Sequence, residues 1–132
     1  MSSRLHTLSI VGLLLSLAGC ATLGPSSKPG EANEGDAAYY SDRLHGRSTA
    51  SGVPYDKNAL TAAHRTLPFG TVVRVTNLIN RRSVQVIIND RGPYSHRRRI
   101  IDLSRMAAER IDMIRSGVVP VRIEIIAVPD RR

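Results

Sequence analysis

Asp90 and His64 are the ionisable side chains placed where a site is easiest to build. Asp90 lies in the run Asn89-Asp90-Arg91-Gly92-Pro93, where a carboxylate and the Arg91 guanidinium adjoin a glycine and a proline. Those last two residues stop a strand. The charged groups are therefore delivered at a strand end, where sites are commonly assembled on a rigid scaffold. His64 stands just before a second turn, Leu67-Pro68-Phe69-Gly70. A carboxyl group and an imidazole at strand ends are suited to proton transfer. The four histidines, at 6, 45, 64 and 96, are scattered, none pairs at ligand spacing and no Cys/His cluster exists, so no metal site is expected.

The elements that must carry these residues follow from periodicity. In Ser83–Asn89, Val84, Val86 and Ile88 fall on one face and Gln85, Ile87 and Asn89 on the other, which is the period of a strand. A second β-branched run, Thr71–Leu78, is separated from it by a turn at Asn80-Arg81, and the two are expected to pair as a hairpin, with His64, Asp90 and Arg91 at strand ends. Ala59 to Ala63 is small and apolar, a short buried strand leading to His64. Asp36 to Tyr40 opens the folded domain as another strand, with Tyr39 and Tyr40 either core and rim residues or free to stack on a ligand. Ser95 to Arg99 is a polar loop whose three arginines are either solvated or an attachment point for anionic groups. Ile100-Ile101 enters a strand, and Asp102 or Ser104 can cap the helix that follows. Leu103, Ala107, Ile111 and Ile114 give that helix one apolar face, and Gly117 ends it. After Pro120, Val121, Ile123 and Ile125 alternate with Arg122 and Glu124 in a last strand. Many short strands with one helix predict a small β-barrel.

The chain of 132 residues is long enough for one domain. With four Tyr, one Phe and no Trp, its core must come from Val, Ile, Leu and Ala. A formal charge of +8 seeks an anionic partner: nucleic acid, anionic lipid or an acidic polymer. The single cysteine excludes an internal disulfide. Arg4 followed by the apolar run Leu8–Ala18 reads as a signal peptide over residues 1–19, since a bilayer-spanning helix takes about 20 apolar residues. Its end, Leu17-Ala18-Gly19-Cys20, resembles the bacterial lipobox, in which the cysteine becomes the lipidated first residue of the mature protein. Residues 20–35, rich in Gly, Pro and Ser, are expected to be a lipidated flexible tether. Export removes the nucleic-acid reading of the basic charge.

Eight pieces of the chain, taken together, resemble RlpA-like lipoproteins (rare lipoprotein A). They are Ala38-Tyr39-Tyr40, His45-Gly46-Arg47, Thr49-Ala50, Leu60 to His64, Leu67 to Thr71, Val75 to Leu78, Asn89 to Pro93 and Ile101 to Ser104. The resemblance implies a mainly β fold, a six-stranded double-psi β-barrel with one short helix, over residues 36–128, with a four-residue tail at 129–132. It implies an endolytic peptidoglycan lytic transglycosylase that cleaves between N-acetylmuramic acid and N-acetylglucosamine to leave 1,6-anhydro ends, favouring strands without stem peptides and needing no cofactor. One carboxyl group would protonate the glycosidic oxygen and later take the proton of the muramic 6-hydroxyl, which requires a pKa raised by burial; a close Arg91 would act the other way.

By the same resemblance Asp90, His64 and Asp56 are the catalytic candidates, and Tyr40, Arg47 and Arg91 would bind substrate. Simpler roles stand beside these: a turn cap or Arg-paired group for Asp90, a loop-bonded imidazole for His64, an Asx turn for Asp56, and a helix cap for Asp102. The chain departs from the family pattern at one point. A glutamate expected before Asp56 is Val53, which transfers no proton. Hence the alternative of a non-catalytic peptidoglycan-binding, or expansin-like, lipoprotein. The expected partners are glycan strands and, through lipid on Cys20, a membrane; because Ala21 follows the cysteine, this is taken to be the outer membrane facing the periplasm. A monomer is expected. The chain stops four residues after Val128, so no further glycan-binding domain is expected.

Overall fold

A computed structural model describes residues 27–130. Six strands form: β1 (Ala32–Tyr39), β2 (Thr61–His64), β3 (Val72–Asn77), β4 (Ser83–Asp90), β5 (Arg99–Leu103) and β6 (Val119–Ala127), with one helix, α1 (Arg105–Arg110), before the last. They close into a barrel in the order β1-β5-β2-β4-β3-β6. The chain steps over β5 on its way from β1 to β2, and over β2 on its way from β4 to β5. Two pairs, β1/β5 and β2/β4, are therefore parallel, and the other four are antiparallel. The expected mainly β, six-stranded barrel with one short helix is the fold that forms.

Alternation builds the core. Val84, Val86 and Ile88 of β4 are buried while Gln85 and Ile87 face outward. Val73 and Val75 of β3, and Val121, Ile123 and Ile125 of β6, meet them inside the barrel. Each fully buried aliphatic side chain contributes about 1.5–3 kcal/mol. The β3–β4 hairpin pairs Val73 with Val86 and Val75 with Val84. Asn77, fully buried, is satisfied: its amide donates to the Ile111 carbonyl at 3.0 Å and its Oδ1 accepts from the Ile79 N–H at 3.0 Å. Tyr39 packs against the core and donates its hydroxyl to the Ile114 carbonyl at 2.9 Å.

Several boundaries move. The barrel begins at Ala32 rather than Asp36: Asn33 pairs with Ile123 and Glu34 with Arg122 of β6, and the Gly30 N–H donates to the Ile125 carbonyl at 2.8 Å. Residues assigned to a tether thus belong to the barrel, because a backbone ladder needs no large side chain. Gly35 shows why one is excluded. A Cβ there would lie 2.7 Å from Ile100 Cγ2 and 2.9 Å from the Arg98 carbonyl oxygen, so glycine lets β1 press against its neighbour. The helix stops at Arg110, and Ile111 to Gly117 continues as turns, with Asp112 at φ 53°. The cap is Ser104, whose Oγ accepts the Ala107 N–H at 3.2 Å and donates to the Ala59 carbonyl at 2.6 Å. Asp102 is no cap; it lies within β5. His64 and Asp90 sit on β2 and β4, a parallel pair rather than the arms of a hairpin, so their strand ends meet at one end of the barrel. The predicted signal peptide over 1–19 and Cys20 lie outside the described residues.

Candidate active site

Strict alternation along β4 would put residue 90 on the core face with Ile88. The β2–β4 register prevents this: Ala62 faces Ile88, but the next residue, Ala63, faces Asp90. Asn89 is the extra residue of a bulge, which re-aims the side chain that follows it. On its other side Ala63 pairs with Asp102, which pairs in turn with Ala38 of β1. Ala38, Asp102, Ala63 and Asp90 thus form a row across four strands, outside the core cluster. Two small residues leave room beside two carboxylates. Tyr40, Leu44 and Asp90 line two adjoining hollows, of about 270 and 120 Å³. Ala63 and Asp102 lie in the first, Arg47, Ser48, Thr49 and Tyr55 in the second. Sharing Tyr40, Leu44 and Asp90, the two hollows form one open groove with Asp90 at their junction.

Donors from three parts of the chain converge on Asp90. Its Oδ1 accepts the backbone N–H of Ala50 at 2.8 Å and of Arg91 at 2.8 Å. Its Oδ2 accepts the Tyr40 hydroxyl. Ala50 is brought there by a small hairpin: Thr49 bonds the Val53 carbonyl through its N–H at 3.1 Å and its hydroxyl at 2.6 Å, and the Ser51 N–H reaches the Asn89 carbonyl at 3.3 Å. Tyr40 stacks on Tyr55 with ring centroids 4.4 Å apart. Burial, then the hydrogen bond to Asp90 and its charge, push the Tyr40 hydroxyl far above the ordinary phenol range, so it stays a donor.

The other predicted residues divide. Arg47 lines the groove, is exposed and has no ion pair among the described residues, which suits an anionic substrate group. Arg91 lines the first hollow beside Asp90, but its guanidinium is engaged by the protein itself. Its guanidinium donates to the carbonyls of Leu67 at 2.8 Å and His64 at 3.2 Å and lies 4.0 Å over the Phe69 ring. Only its backbone N–H touches Asp90, so the close charge pair anticipated between them does not form. His64 lines a different hollow, with Glu31, Asn33 and Ile123. Its Nδ1 accepts the N–H groups of Thr66 and Leu67, each at 3.1 Å, which places the proton of the neutral ring on Nε2. Burial first, then the charges of Arg91 and Arg65, lower its pKa to about 4. It is a neutral loop-bonded histidine at neutral pH. Asp56 forms an Asx turn, accepting the Asn58 N–H at 2.8 Å, and faces solvent. The predicted trio is therefore not assembled around Asp90. Val53 stands 55% exposed at the hairpin tip and brings no polar group.

Two chemically significant residues of the groove are not among the candidates read from the sequence. Tyr55 was visible only as one of few aromatics. Asp102, expected as a helix cap, lines the groove and is held by Arg99 at 3.1 Å.

The comparisons agree with this architecture. Residues 32–123 match the family described as lytic transglycolase. Over 97 residues, 74% of this chain and 35% of the relative, the chain is 55% identical to the endolytic peptidoglycan transglycosylase RlpA of Campylobacter jejuni. Over 97 residues it is likewise 55% identical to the Pasteurella multocida protein of that name, again 74% of this chain and 33% of the relative. The chain thus spans only about a third of the length of these relatives. Among solved structures, the Streptomyces papain inhibitor superposes with a TM-score of 0.61 at 26% identity, covering 75% of this chain and 97% of that one. The apo expansin of Clavibacter michiganensis superposes at 0.59 and 20% identity, covering 76% and 53%, a likeness of fold. A closed six-stranded barrel with crossed connections, matched over this span, places the chain in the lytic transglycolase family of double-psi β-barrels.

Proposed function

We propose that the chain is a slow endolytic peptidoglycan transglycosylase in which Asp90 carries the proton. The observation that supports this most is the Asp90 carboxylate, presented at the junction of two open hollows by a bulge and oriented by three donors. In this reading the carboxyl protonates the oxygen between N-acetylmuramic acid and N-acetylglucosamine, positive charge develops at the anomeric carbon, and the muramic 6-hydroxyl attacks to close a 1,6-anhydro ring. Because the nucleophile belongs to the substrate, one carboxyl serves as acid and then as base. Arg47 receives the free lactyl carboxylate of strands without stem peptides. The lipid on Cys20 anchors the chain, as a monomer, to the outer membrane facing the periplasm. The names of the relatives, endolytic peptidoglycan transglycosylases, support the same substrate class.

Product analysis by mass spectrometry tests it. Purified peptidoglycan incubated with the chain should acquire 1,6-anhydro ends, and Asp90→Asn should reduce their rate of appearance by at least about 100-fold, the usual worth of a general acid–base group. A second reading, a glycan-binding lipoprotein without turnover, is favoured by Val53 and by Asp56 and His64 not being among the residues that line the groove. Co-sedimentation with peptidoglycan in the absence of any anhydro product would establish it and sink the first.

A further inference from the structure

We propose that Tyr40 is a positioning residue for Asp90: its hydroxyl, braced by the Tyr55 ring, fixes the one carboxyl oxygen through which a proton can pass to and from the glycan. The inference rests on the transglycosylase reading and assigns a new role within the same groove.

The two oxygens of Asp90 are not equivalent. Oδ1 accepts two backbone N–H groups, from Ala50 and Arg91, each at 2.8 Å, which engages both of its lone pairs. Among the described residues Oδ2 accepts only the Tyr40 hydroxyl, which leaves it one lone pair. Any proton exchanged with substrate therefore sits on Oδ2. The backbone donors anchor one corner of the carboxyl group, and Tyr40, arriving from the end of β1, sets the direction of the other. Tyr40 is itself held. Its ring stacks on Tyr55 at 4.4 Å and an interplanar angle of 28°. Tyr55 is 3% exposed, and its hydroxyl accepts the Arg105 N–H at 3.1 Å, at the start of α1. Its backbone N–H and carbonyl are bonded to Arg47 and Gly46. The brace thus runs from the helix through two rings to Oδ2.

The chemistry shows what this hydrogen bond contributes. In the first half-reaction the proton leaves Oδ2 for the glycosidic oxygen, the C1–O4 bond breaks, and the carboxyl becomes an anion. In the second the muramic O6 bonds to C1 and its proton returns to Oδ2. A hydroxyl donates more strongly to a carboxylate than to a neutral carboxyl. The Tyr40 bond therefore strengthens as the proton departs, so its gain lies in the transition state and not in substrate binding. Tyr40 does not supply the proton itself, because burial and the Asp90 charge keep its hydroxyl intact at any working pH.

Tyr40→Phe in the full chain tests the idea, since it keeps the stacked ring and deletes only the O–H. Loss of a hydrogen bond to a charged group corresponds to a fall in kcat of about 10- to 100-fold. KM for denuded glycan should stay within about twofold, because the bond adds little in the ground state. An unchanged kcat in Tyr40→Phe, or a loss confined to KM, overturns the proposal. A native chain that yields no anhydro product overturns the transglycosylase reading on which the proposal rests.

Discussion

At the scale of single residues, Val53 and His64 mark how far this site departs from a full set of acid–base groups. Val53 is half exposed on the hairpin whose tip carries Ala50 to Asp90, so a longer polar side chain there meets solvent rather than core. We expect Val53→Glu to leave the melting temperature within a few degrees and to raise anhydro-product turnover by on the order of 100-fold, the worth of a placed general acid. Equal rates in the two chains would show that position 53 does not limit the reaction. His64 makes a different prediction. Its folded pKa is about 4 against the ordinary 6.5 of a histidine, so the unfolded chain binds more protons between those two pH values. Stability contributed by the neutral ring is therefore full above pH 6.5 and is lost as pH falls toward 4. Thermal melts of His64→Asn, which keeps an acceptor for Thr66 and Leu67, should show a smaller loss on acidification than the native chain. An identical pH dependence would remove His64 as its source.

At the scale of elements, the two loops that flank the site are tied to each other by reciprocal arginines. Arg91, after β4, donates to the carbonyls of His64, the last residue of β2, and of Leu67 in the loop that follows. Arg65, in that loop, donates to the carbonyls of Pro93, of His96 at 2.6 Å and of Arg99 at 2.8 Å. Neither role was legible in the sequence, because a guanidinium satisfied by backbone carbonyls and one awaiting a substrate look alike as letters. β1 teaches a similar lesson. Its first residues carry no apolar pattern, yet Ala32 to Gly35 pair with Glu124, Ile123, Arg122 and Val121. A fragment starting at Asp36 should lose roughly 2–4 kcal/mol relative to one starting at Ser27, taking about 1 kcal/mol for each ladder hydrogen bond. That corresponds to a melting temperature lower by on the order of 10 °C. Coincident melting curves would mean that this part of the ladder adds nothing to stability.

At the scale of the whole molecule, the closed barrel with its crossed connections converts residues far apart in the chain into one groove. Tyr40 directly follows β1, Tyr55 lies in the segment between β1 and β2, and Asp90 and Asp102 belong to β4 and β5. The amino-acid sequence by itself determined the strands, their inward and outward faces, the barrel class and the candidacy of Asp90, since periodicity and turn residues are local properties. Those local signals also misled. The helical repeat of Leu103, Ala107, Ile111 and Ile114 outran the helix, and a Ser and an Asp competed for one cap. The tertiary structure alone decided which candidates meet. Outward pairing depends on register, and one extra residue, Asn89, turns Asp90 away from the core and toward Tyr40. The same geometry sends His64 to another hollow and Asp56 to solvent, because direction and distance across strands are set by pairing between distant segments, which no spacing along the chain encodes.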